Sequence, residues 1–220
     1  MKRLFLLALC ALFYGCGDTK SNAESKTYAT ELVQILPKAQ NYAQAKANAD
    51  ANAAQMLENL QKQAPQNIID DALALVERAN IVGYKLILPQ DLVQHLDEFN
   101  IIATLPRGVY NLGLIPNAKH FAFALSPTLN ENGSEWNWEA DGLNRAQSEF
   151  IAFLGEDKDT KIVFYDSGEH ILSPMGSANV ALLWAKHLGY NNVYLLAGGF
   201  NAYKELGLQI STQAPHCCEM

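Results

Sequence analysis

Two places in this sequence hold residues able to do chemistry. The first is the loop after the apolar run Lys161-Ile162-Val163-Phe164-Tyr165. It opens with Asp166, continues through Ser167, Gly168, Glu169 and His170, and closes at Gly176 and Ser177. A short β-branched run, a Gly-, Ser- and Pro-containing loop and a helical pattern from Ser177 describe a strand-loop-helix unit. In such a unit ligands sit beyond the carboxyl end of the strand, and the helix N-terminus turns free backbone N–H groups toward an anion. A sulfane, thiosulfate, phosphate or carboxylate group suits that position. Asp166 would serve there as a general base or metal ligand, or as a structural carboxylate accepting loop N–H bonds, and the last is the expectation. Glu169 and His170 read as a solvated loop tip, with a small polar site around Asp166 as the alternative. Ser167 and Ser177 lack the sequence context of a nucleophile elbow.

The second place is His216-Cys217-Cys218-Glu219. Adjacent thiols can close a strained ring disulfide, bind a soft metal or relay persulfide sulfur. The plainer expectation is a mobile exposed tail. The other cysteines, Cys10 and Cys16, lie in the N-terminal apolar stretch, so no disulfide framework is implied. No CxxC occurs. Neither a metal nor a cofactor is expected.

The elements that must position these residues follow from pattern. Strand-like segments at 85–88, 101–105, 118–125, 161–165 and 192–196 alternate with helical segments at 89–99, 145–154, 177–188 and 200–206. That order predicts an α/β fold with a mostly parallel central sheet flanked by helices. Before it, Ala-, Gln-, Glu- and Leu-rich sequence predicts an α-helical extension. Pro37 is expected to break its first helix, a second to run over 38–63, and a third over 68–79. The stretch 43–54 has no large apolar residue and reads as a solvated spacer. His120 is expected at the surface or on an edge strand. Trp136 and Trp138 are expected to clamp a long loop to the core, with stacking on a ligand or partner as the alternative.

The N-terminus carries an address. Lys2 and Arg3 precede the apolar run 4–14, which is too short to span a bilayer comfortably. Leu12-Phe13-Tyr14-Gly15-Cys16 then resembles a bacterial lipobox. Cleavage there would make Cys16 a lipidated N-terminus on a polar tether. Ordinary secretion and an uncleaved anchor are the alternatives. The expected organisation is a signal at 1–16, tether and helical extension at 17–83, the α/β domain at 84–210 and a tail at 211–220. The expected location is the bacterial cell envelope, membrane-anchored and facing the periplasm. In the 220-residue chain a net charge of −7 gives no general affinity for nucleic acid.

The α/β part resembles the rhodanese family. The resemblance rests on Val163-Phe164-Tyr165-Asp166-Ser167-Gly168, Ser177, Trp184, Leu188-Gly189-Tyr190, Gly198-Gly199-Phe200 and Tyr203. Upstream, Leu88-Pro89-Gln90-Asp91-Leu92 and Tyr110-Asn111-Leu112-Gly113-Leu114-Ile115-Pro116-Asn117-Ala118 are similar to family motifs. Tyr165-Asp166 with Trp184 is most similar to the first, non-catalytic half of the tandem thiosulfate or mercaptopyruvate sulfurtransferases. The resemblance implies sulfur transfer by a cysteine at the Asp166 position, cradled by loop N–H groups and usually an arginine. This chain departs from that pattern. Ser167 to Gly176 contains no Cys, Arg or Lys, the Asp-x-Arg signature is replaced near Ala103-Thr104-Leu105, Leu114 takes the histidine position and Val109 the acidic one. Standard sulfur transfer is therefore not expected. The leading reading is a binding or accessory module, with a protein or a small sulfur-containing anion as partner. Two alternatives stand beside it: a sulfurtransferase using Cys217, Cys218 or a partner thiol, and a structural envelope protein acting through its helical arm.

Overall fold

The computed structural model describes residues 27–110, 113–134, 136–169 and 176–212. Three helices lead: α1 (Tyr28–Ala47), α2 (Ala53–Gln61) and α3 (Gln66–Val82). Then β1 (Lys85–Ile87), α4 (Pro89–Val93), a 3-10 turn (Leu96–Glu98), β2 (Asn100–Ala103), α5 (Arg107–Tyr110) and β3 (Lys119–His120) follow. The chain continues with α6 (Trp138–Asp141), α7 (Gln147–Leu154), β4 (Ile162–Tyr165), α8 (Ser177–His187), β5 (Val193–Leu196) and α9 (Gly199–Glu205).

The strands form one parallel sheet in the order β1-β5-β4-β2-β3. Central β4 is buried along its whole length, as its unbroken apolar run requires. Period-two alternation divides its side chains between two cores. Ile162 and Phe164 join the core with α3, α7 and α8 residues such as Leu75, Phe150 and Trp184. Val163 and Tyr165 join the other, with Leu92 of α4 and Phe200 and Tyr203 of α9.

The helical extension differs from its prediction. Helix α1 runs through Pro37 without a break. Proline there removes one backbone hydrogen bond, but Leu32, Val33, Ile35, Leu36 and Ala39 on both sides of it are buried. Packing on α3 therefore holds the helix straight across the lost bond. The expected helix over 38–63 is interrupted instead. Helix α1 ends at Ala47, Ala49 adopts a left-handed φ of 53°, and α2 begins at Ala53. With only Ala, Asn, Gln, Lys and Asp over 43–54, no large apolar side chain is available here to hold one helix continuous. Helix α3 starts at Gln66, directly behind Pro65, and ends where Gly83 takes the left-handed C-cap. Leu32, Leu36 and Ile69 belong to the same core cluster as the sheet's Ile162 and Phe164, so the extension and the sheet share one apolar interior. No described helix is long and apolar enough to cross a membrane.

Candidate functional site

The strand-loop-helix unit forms as predicted, with Asp166 at the first position beyond β4. Its carboxylate is half-buried. Oδ1 accepts the Gly168 N–H at 2.8 Å and Oδ2 accepts the Ala178 N–H at 3.1 Å. Ala178 is in the first turn of α8, whose dipole end favours negative charge. Asp166 therefore satisfies backbone donors that an open cradle would offer to an anion.

The backbone around it is closely stacked. The Phe200 N–H donates to the Asp166 carbonyl at 2.8 Å and the Asn201 N–H to the Ser167 carbonyl at 3.0 Å. Gly168 has φ +91°, and a Cβ there would lie 2.1 Å from the Gly198 carbonyl oxygen. Gly199 has φ +57°, and its Cβ would lie 2.5 Å from the Gly168 nitrogen. The glycines of the two loops after β4 and β5 thus allow backbone to touch backbone. On the far side of Gly198, a Cβ would meet Val33 of α1 at 3.0 Å, so the helical extension backs this junction.

Beneath the loop lies a buried polar relay. Thr104, just beyond β2, directs both its N–H (2.9 Å) and its hydroxyl (3.0 Å) to the Tyr165 carbonyl. Its Oγ1 is 2.8 Å from Ser177 Oγ. Since the Thr104 proton is committed, Ser177 donates to it. Ser177 is thereby a buried tie between the two ends of the loop. Tyr165 is fully buried, its hydroxyl accepts the Ile115 N–H at 3.1 Å, and burial raises its pKa above the ordinary phenol value.

The other loop residues divide. Ser167 is half-buried and Glu169 is exposed, so the tip at Glu169 is solvated. Gly176 closes the loop, donating its N–H to the Leu125 carbonyl. His170, Cys16, Cys217 and Cys218 lie outside the described residues. Leu114 is buried in the apolar core around Tyr165, while Val109 is exposed. Among the described residues, no group of three or more His, Cys, Asp or Glu side chains could hold a metal ion.

For His120 the edge-strand expectation holds and the surface one does not. It sits on edge strand β3, yet it is buried, with Nε2 2.6 Å from the Leu105 carbonyl. A carbonyl needs a donor, so Nε2 carries the proton in this contact. Both tryptophans clamp their loop as expected. Trp138 packs on Phe121, Phe123, Phe150 and Trp184 and donates Nε1–H to the Arg145 carbonyl at 2.6 Å. Trp136 stacks on His187 at 3.8 Å between centroids. Asp141 was not singled out by the sequence. It is 1% exposed and accepts Thr128 N–H at 3.0 Å and Trp184 Nε1–H at 2.9 Å. Its only sequence signal was a carboxylate inside an aromatic-rich segment.

The five-stranded parallel sheet flanked by helices, with its loop beyond the central strand, is a rhodanese-like fold. The chain belongs to the rhodanese-like domain family, whose model matches residues 88–206. Three solved structures illustrate the likeness. A rhodanese-related protein from Thermoplasma volcanium is 15% identical, with 59% of this chain and 100% of that chain covered and a TM-score of 0.41. The 3-mercaptopyruvate sulfotransferase of Escherichia coli is 22% identical over 60% of this chain and 51% of its own, with a TM-score of 0.42. The polysulfide-sulfur transferase homodimer of Wolinella succinogenes is 14% identical over 66% of this chain and 91% of its own, with a TM-score of 0.40. No curated protein matches the chain.

Proposed function

We propose that this chain is a rhodanese-like module that does not take up sulfur at its own loop. It works as a binding or accessory unit of the bacterial cell envelope, held to the membrane through a lipidated Cys16. The observation that carries this reading is the Asp166 carboxylate, which accepts the Gly168 and Ala178 N–H groups. A carboxylate there is a poor sulfur acceptor and repels thiosulfate, and no Lys or Arg in 167–176 offsets its charge. Tyr165-Asp166 with Trp184 further supports kinship with the silent half of tandem sulfurtransferases.

The test is cyanolysis of thiosulfate and of 3-mercaptopyruvate by the purified chain. No turnover above the blank is expected from wild type. Asp166→Cys alone is expected to stay far below an active rhodanese, since the arginine, acidic and histidine positions are also changed. Wild-type turnover that survives Cys217→Ser with Cys218→Ser removes the proposal. Lipid labelling of cells, lost in Cys16→Ala, tests the anchor.

One observation favours a second reading, sulfur transfer through the tail thiols. Leu114 and Ser211 exchange two backbone hydrogen bonds of 2.8 Å. The next residue, Ile115, donates to the Tyr165 hydroxyl, so the root of the tail lies near the carboxyl end of β4. Cys217 follows Thr212 by five positions, a span of about 17 Å when extended. Turnover abolished by Cys217→Ser or Cys218→Ser would establish this reading in place of the first.

A further inference from the structure

Asn132-Gly133 is the one Asn-Gly pair in the sequence, and it stands at the tip of an exposed turn in the loop that carries Trp136. The turn is a closed unit. Asn130 N–H donates to Ser134 O at 2.9 Å, and Gly133 N–H to Asn130 O at 2.9 Å. Ser134 N–H is shared between Asn130 Oδ1 at 2.9 Å and Asn132 Oδ1 at 3.0 Å. Gly133 has φ +80°, and no atom lies within 4 Å of where its Cβ would be. Asn132 and Gly133 are both exposed, and the bonds that hold the Gly133 N–H and the Asn132 Oδ1 both lie within the turn itself, so opening the turn alone frees the reacting groups.

We propose that Asn132 is a site of spontaneous covalent modification, deamidating through a cyclic imide. The Gly133 backbone nitrogen, once deprotonated, attacks the Asn132 Cγ. An N–Cγ bond forms, the Cγ–Nδ2 bond breaks and ammonia leaves. Water then opens the five-membered ring at either carbonyl, giving aspartate or, with the chain rerouted through the side chain, isoaspartate. No oxidant or reductant is involved, and water is the one co-reactant. Asparagine is a thermolabile residue, and Gly133 presents no side chain to hinder the attack.

The structure supplies an internal contrast. Asp141-Gly142 can form the same imide by losing water. Its carboxylate, however, is buried and held by Thr128 N–H and Trp184 Nε1–H. A rotation toward the Gly142 nitrogen would break both bonds, so this second site is protected.

The isoaspartyl product lengthens the backbone inside the turn, and its hydrogen bonds cannot all re-form. Ser134 Oγ accepts the Trp136 N–H at 3.2 Å, so the change is passed to the ring stacked on His187. The modification thus adds a negative charge and loosens the Trp136 clamp as the protein ages.

The experiment is incubation of the purified full chain at mildly alkaline pH, followed by peptide mapping with mass spectrometry and isoaspartate detection. A urea-unfolded sample serves as reference. The expected result is modification at Asn132 in the folded chain at a rate within about tenfold of the unfolded one, because exposed turns open at little cost. Imide chemistry at Asp141 is expected to be slowed by about a hundredfold or more on folding, since it requires global opening. Asn132→Gln abolishes the product, and the accompanying change in tryptophan emission disappears in Trp136→Phe. A folded chain that leaves Asn132 intact while the unfolded chain reacts overturns the inference, and so does equal protection of the two sites.

Discussion

Asp141 and Asp166 do similar work in different surroundings. Each carboxylate gives one oxygen to a loop N–H and the other to a donor on α8. For Asp141 these are Thr128 N–H and Trp184 Nε1–H, and for Asp166 they are Gly168 N–H and Ala178 N–H. Both fasten an irregular segment to the same helix. Asp141 is buried among aromatic rings, while Asp166 is half-buried at the helix N-terminus. The comparison teaches that the first position beyond β4, at the head of the loop, is held by a fastening residue. It also says which site should be the more costly to disturb. A buried donor stranded without its acceptor loses its full desolvation cost, whereas a half-exposed one can turn to water.

The comparison can be broken in order of effect. Gly168→Ala should be worst, at more than about 3 kcal/mol, because a Cβ 2.1 Å from a carbonyl oxygen and a φ of +91° both oppose it. Urea denaturation measures this, and a near-neutral result would mean the two loops are not in contact. Asp141→Ala should cost about 2–4 kcal/mol, since it orphans two donors around Trp184. Asp166→Ala should cost about 1–2 kcal/mol, the usual range for losing a side-chain acceptor at a helix start. If the two aspartates exchange places in the same denaturation series, burial is not what separates them. Gly142→Ala is expected to cost an amount similar to Asp166→Ala, about 1–2 kcal/mol, from overpacking. Its Cβ would press the Trp138 ring at 2.8 Å, but its φ of −84° is ordinary, so thermal melting should shift less than for Gly168→Ala.

Much of the site was readable from the chain. Five short apolar runs alternating with helical patterns require a parallel sheet, and the Gly-rich break after Tyr165 marks the loop. The chemistry missing from 167–176 is visible as a lack of Lys, Arg and Cys. What pattern could not convey was partnership. Thr104 and Ser177 are 73 positions apart yet share a buried hydrogen bond. Val33 backs Gly198 from a helix that the sequence placed in an extension outside the α/β domain. Local propensity also misled at Pro37, because it sees the lost hydrogen bond and not the packing on α3 that offsets it.

By itself, the sequence determined the α/β class, the position of the loop beyond β4 and the acid at its head. Each of these is written in neighbouring residues, where periodicity and residue type act directly. Tertiary structure alone decided what that acid does. Only when α8 is brought over the end of β4 do the Gly168 and Ala178 N–H groups converge on Asp166. Only the stacking of Gly168 on Gly198 and Gly199 explains why Gly168 has no room for a side chain. Likewise, two carboxamide or carboxylate residues before glycine, Asn132 and Asp141, look alike in the chain. Burial and hydrogen bonding leave the first open to reaction and lock the second.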